Sequence, residues 1–169
     1  MKSTIKIFTL AIIALGFSTA SFAQVSATAT AAGTIVTPIA ITKTVDLNFG
    51  NMAVSSTAGT VILAPAGTRT ITGGVTLPAN TGTVTAAEFN VTGQAGYTYS
   101  ITLPSTPTTV ASGANTMIVN AFTSTPSSTG TLTAGAETIK VGATINVGAN
   151  QAAGTYTSAT PFTVTVNYN

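Results

Sequence analysis

Beyond residue 23 the chain carries six charged side chains, and any acid–base or metal chemistry must be drawn from them. They are Asp46, Glu88 and Glu137 with Lys43, Arg69 and Lys140. There is no His, Cys or Trp. Nucleophilic catalysis built on His or Cys is thereby ruled out, and zinc, iron and copper lose their preferred nitrogen and sulfur ligands. A glycosidase needs two carboxylates flanking one bond. Glu88 and Glu137 are the candidate pair, but both read as outward residues of Thr-rich strands, so solvated surface charges are expected and catalysis is not. Asp46, Asn48 and Asn51 outline a calcium loop, yet Thr57 stands where the loop's twelfth position requires an acid. Outward placement on a strand explains Asp46 and Asn48 without a metal. A covalent Lys–Asn cross-link would need Lys43 or Lys140 buried beside an Asn and an acid. Asn90-Val91-Thr92 fits the N-glycosylation pattern, which is common by chance. Many Thr residues recur in T-x-T register; they form the wet side of strands, where Thr is a favoured uncharged residue. No catalytic, cofactor-binding or metal-binding residue is expected.

What must be positioned is therefore a scaffold. Of 169 residues only 5% are charged, against roughly 25% in an ordinary soluble domain. The polar surface must come from Thr, Ser and Asn. One long apolar run explains part of the 44% hydrophobic content. Lys2 and Lys6 precede an apolar stretch from Ile7 to Phe17, and Ser21-Phe22-Ala23 is a small-x-small cleavage signal. This predicts a Sec-type signal peptide over residues 1–23, cut between Ala23 and Gln24. The apolar stretch is short for a membrane span, and no span is expected after signal removal. The chain is expected in the periplasm, on the outer surface or outside the cell. The remaining 146 residues suffice for one domain with a core. Their charges sum to zero, leaving no basic patch for nucleic acid.

The pattern along these residues has a period of two. The end reads GTYTSATPFTVTVNYN, with Phe162, Val164, Val166 and Tyr168 facing one way and Thr163, Thr165 and Asn167 the other. Tyr97, Tyr99, Ile101 and Leu103 alternate in the same manner, as do Phe89 with Val91 and Ile139 with Val141. Asn115–Thr123 carries apolar residues on both faces and is placed centrally. Pro65-Ala66-Gly67 turns one strand back, and Gly73-Gly74 reads as a tight hairpin between Thr68–Thr72 and Val75–Leu77. Gln24–Ala32 alternates Val25, Ala27, Ala29 and Ala31 with Ser and Thr; it is either a first strand or a mobile extension. TGTVTA at 81–86 echoes TGTLTA at 129–134. Short strands with frequent turn signals predict an all-β fold, a single antiparallel immunoglobulin-like β-sandwich over residues 34–169 preceded by the segment 24–33.

The signal peptide, TIVTPIAITKTVDLNFGNMAV at 34–54 and AGTYTSATPFTVTVNYN at the end together resemble the family called domain of unknown function 4402. These are small secreted β-rich proteins of Gram-negative bacteria. The most specific stretches are Asp46-Leu47-Asn48-Phe49-Gly50 and Gly154-Thr155-Tyr156 with the alternating end. That end is also similar to the last strand of chaperone–usher pilins and spore-coat-U-like proteins. This likeness implies a pilin-like subunit that lacks one strand and receives it from a neighbour's N-terminal extension. Carried over, Val25, Ala27, Ala29 and Ala31 form the donor strand, and Phe162, Val164, Val166 and Tyr168 belong to the acceptor. The implied partners are the chain itself or related subunits, with an assembly chaperone. The chain departs from many pilins in having no disulfide, and its donor residues are small. A monomeric secreted module binding a glycan or other surface ligand is the alternative, and it would need a concave, aromatic-lined site.

Overall fold

The computed structural model describes residues 23–169, so the expected signal peptide lies almost wholly outside the described residues. The chain divides by its contacts after Thr34. Residues 23–34 contain no strand and are exposed throughout. Ile35–Asn169 holds all the regular structure, and among the described residues that structure is entirely β.

The described residues form twelve strands: β1 (Ala40–Val45), β2 (Asn48–Phe49), β3 (Ala53–Leu63), β4 (Arg69–Thr76), β5 (Val84–Thr85), β6 (Ala87–Thr92), β7 (Thr98–Thr102), β8 (Thr108–Ser112), β9 (Asn115–Thr125), β10 (Thr129–Thr131), β11 (Ala136–Val147) and β12 (Thr165–Tyr168). Every pairing is antiparallel. The large sheet runs β1-β6-β11-β3-β4, with β9 on the other side of β11 and β8 beyond β9. A smaller sheet runs β10-β7-β12, and β2 pairs with β5.

β11 organises the large sheet because its twelve residues outlast any single neighbour. Its first half pairs with β6 and its second with β3, while β9 runs along the opposite edge. Ile139, Val141, Ala143, Ile145 and Val147 all point inward from it and are buried. The core has two clusters along this strand. The first joins β6 and β11 to Tyr99 and Ile101 of β7, Leu132, and Val164 and Val166. Side chains from both sheets meet in it, so the fold is an antiparallel β-sandwich. The second joins β3, β4, β9 and the far half of β11 to Phe49.

Two sequence expectations are corrected here. Gly73-Gly74 is not a hairpin turn; both lie inside β4. Pro65-Ala66-Gly67 alone turns the chain. Gly67 has φ +84°, its N–H reaches Ala64 O at 2.8 Å, and Ala64 N–H reaches Thr68 O at 2.9 Å. This is a three-residue loop with a glycine bulge. Gly73 and Gly59 face each other across the ladder, and a Cβ on either would run into the other strand's backbone. The glycines permit close approach in a kinked ladder.

The apolar residues on both faces of β9 have a different cause from a two-sided burial. Thr123 pairs with Gly142 but Asn120 with Thr144, so Ala121 and Phe122 together oppose one residue of β11. Ala121 has φ +48°. This bulge shifts the inward phase by one. Met117 and Val119 point inward before it, while Ser124 is buried after it and Phe122 touches both core clusters.

Candidate functional site

Among the described residues, three polar constructions and the open strand edges are what the sandwich offers. The first is centred on Tyr99, which is completely buried. Its hydroxyl donates to Glu137 Oε2 at 2.9 Å, and the Thr131 N–H donates to the same oxygen at 2.7 Å. Burial, then the hydrogen bond to Glu137 and its negative charge, push the Tyr99 phenol well above its ordinary range. Gly130 lies against the ring, where a Cβ would collide with it. One carboxylate thus ties β7 and β10 of the small sheet to β11 of the large one. Glu137 is therefore no solvated surface charge, contrary to expectation. It shares the parity of Ile139 and Val141 and so faces inward, a signal present in the sequence.

Glu88 does face outward. It pairs with Lys140, its cross-strand neighbour, at 2.8 Å. The two glutamates lie on opposite faces of the sheet and do not flank a common substrate position.

The second construction is the Asp46–Gly50 stretch. Asn48 Oδ1 accepts from Gly50 N–H at 2.9 Å, and Gly50 has φ +70°. Phe49 is buried in the second cluster. Arg69 Nη1 donates to Phe49 O at 2.8 Å and to Asn51 O at 2.9 Å. The oxygens that outlined a calcium loop are engaged otherwise: Asp46 with Lys43 at 2.7 Å, Asn48 in its own turn. Neither lysine is buried, with side-chain exposures of 53% for Lys43 and 50% for Lys140, so neither meets the condition for a Lys–Asn cross-link. The third construction holds the Gly154–Tyr156 stretch, where Tyr156 donates to Ala152 O at 2.7 Å and accepts from Gln151 at 2.9 Å.

The end strand supplies the open edge. Val164 and Val166 are buried; Phe162 and Tyr168 pack half-buried against the first cluster. Phe162 precedes β12 and touches the rings of Phe122 and Phe89, centroids 4.9 and 6.3 Å away. Among the described residues β12 pairs with β7 alone. Asn169 N–H reaches Thr98 O at 3.3 Å in the same register. Hydrogen-bonded and non-hydrogen-bonded pairs alternate in an antiparallel ladder. Asn167 and Thr165 therefore bond to β7, and the main-chain groups of Val166 and Tyr168 point away from it. β1 likewise has one partner, β6. Ile39 and Ile41, beside and within β1, also lie half-buried on the first cluster. At one end the two edges are tied: the Tyr168 hydroxyl donates to Thr37 O at 2.7 Å and accepts from Gln94 N–H at 2.6 Å. No feature of the sequence singled out Gln94.

The sequence-derived acceptor residues Phe162, Val164, Val166 and Tyr168 are thus brought together on one core cluster. Val25, Ala27, Ala29 and Ala31 are exposed and belong to no strand. The shallow depressions beside Gly59 and Asn146, and beside Val45 and Pro65, have no aromatic lining. No helix among the described residues is long and apolar enough to cross a membrane.

These features define a cysteine-free antiparallel β-sandwich domain in which β12 forms one edge of the smaller sheet. The chain belongs to the family described as domain of unknown function (DUF4402), whose model matches residues 39–168. No curated protein and no solved structure matches it.

Proposed function

We propose that the chain is an exported, non-catalytic structural or adhesive subunit of the bacterial surface, assembling with copies of itself or related subunits by strand donation. One observation carries this reading. Among the described residues β1 and β12 each lack a partner on one side, and the half-buried residues Ile39, Ile41, Phe162 and Tyr168 of the first cluster lie on or next to them. An added strand would satisfy the main-chain groups of Val166 and Tyr168 and cover those side chains. Gln24–Ala32 has the composition of such a strand: seven of its nine residues are Ala, Val or Thr, and none is charged. Its small side chains would each bury a modest area, at roughly 25 cal/mol per Å². Before assembly, a chaperone would shield the same edge.

Deleting residues 24–32 tests the proposal. Assembly should be lost while the melting temperature and far-ultraviolet spectrum of the subunit stay close to those of the intact chain. Loss of the fold on deletion would instead make the segment an internal first strand.

A further inference from the structure

We propose that β4 is a second association edge, through which two copies of this chain pair antiparallel about a two-fold axis at Ile71. The inference is independent of strand donation, because β4 lies beyond β3 along the second half of β11, whereas β1 lies beyond β6 along its first half. The hydrogen-bond phase of β4 follows from its turn. Ala64 N–H bonds to Thr68 O, and the register continues as Leu63 opposite Arg69 and Ile62 opposite Thr70. By alternation, Thr70 and Thr72 bond to β3, while the main-chain groups of Arg69, Ile71 and Gly73 point outward. None of these three residues makes a main-chain bond outside the ladder among the described residues.

Sheet edges are ordinarily blunted by charge, proline or a bulge. β1 follows this rule, with Lys43 and a register break between Lys43 and Val45. β8 is partly covered, since Ala111 bridges to Thr157. Arg69 is the sole charged residue of β4, and its guanidinium turns back to Phe49 O and Asn51 O. From Thr70 to Thr76 the edge therefore has no charge and no proline. Ile71 faces the core side opposite the fully buried Val61, yet is 40% exposed.

The occupant that fits is another β4. Thr70-Ile71-Thr72 is palindromic, so an antiparallel pairing centred on Ile71 places Ile71 opposite its own copy and each Thr70 opposite a Thr72. The central pair exchanges two main-chain hydrogen bonds, the exposed isoleucines cover each other, and Thr–Thr pairs are favourable across strands. With no charge between Thr70 and Thr76, no like-charge repulsion opposes the central pairs. Gly73, at φ +63°, bends the strand and limits the zipper to this short centre. The two-fold contact closes on itself as a dimer.

Sedimentation velocity and amide exchange on the purified chain test this, up to about 1 mM, where even millimolar affinity populates a dimer. The expected result is a mass that rises toward twice the subunit's, with the Ile71 amide exchanging at least about tenfold more slowly as concentration increases. Ile71→Pro should stay monomeric with an unchanged circular dichroism spectrum, because the lost N–H faces solvent. Ile71→Lys should do the same through like charges at the axis, and Ile71→Val should still dimerise. The dimer should persist when residues 24–32 are deleted. A chain that is monomeric throughout, a dimer that survives both Ile71→Pro and Ile71→Lys, or self-association lost only with residues 24–32 would each overturn the proposal.

Discussion

Glu137 shows how a single carboxylate can hold two sheets together. Its Oε2 accepts from both the Tyr99 hydroxyl and the Thr131 N–H. A hydrogen bond to a charged acceptor contributes about 1.5–3 kcal/mol, so Tyr99→Phe should destabilise the domain by about that amount at neutral pH. The pH dependence has a defined sign. The folded phenol titrates above its unfolded value of about 10. The neutral form is thus favoured by folding, and its contribution is full below about pH 10 and lost as pH rises toward the folded value. Denaturant melts of both proteins from pH 7 to 11 should show the gap between them narrowing above about pH 10. A gap that is constant across that range would mean Tyr99 does not titrate as this clasp requires. The clasp was partly legible in the sequence: Glu137 falls in step with Ile139 and Val141. Its partner was not, since nothing local links residue 137 to residue 99 or 131.

The strands show which parts of a local pattern survive folding. Periods of two around Tyr99, Ile139 and Val166 translate directly into buried faces, because one face of each strand meets the opposite sheet. β9 reads instead as apolar on both faces, and only its pairing with β11 reveals the bulge at Ala121 and Phe122. A bulge depends on the partner strand, so its position could not be read from residues 115–125 alone. Gly73-Gly74 had the composition of a turn, but a glycine also serves where two backbones approach closely, and Gly59 opposite Gly73 does that here. Ala121 retains a testable trace of this arrangement. At φ +48° an L-residue is strained where glycine is not. Ala121→Gly should therefore raise stability by about 0.5–1 kcal/mol despite the added flexibility of the unfolded chain. A guanidinium melt measures it, and a destabilised variant would mean the left-handed turn carries no strain.

At the scale of the molecule, stability without disulfides comes from two core clusters along β11 and from ladders that leave some edges unpaired. The all-β sandwich was legible because alternation and turn residues recur along the whole chain. The unpaired edges were not, since pairing partners are a property of topology. The Asp46–Gly50 stretch illustrates the difference: its turn residues can be read from the chain, while its role as an Asn48 turn clasped by Arg69 appears only in three dimensions. The proposed function rests on the edge of β12 and the uncharged segment 24–32. Surface material sheared from cells and run on a denaturing gel, unheated beside heated, tests it most directly. Strand donation predicts a ladder of stable multimers without heating that collapses to one subunit band with it. A single subunit band in both lanes would contradict the proposed assembly.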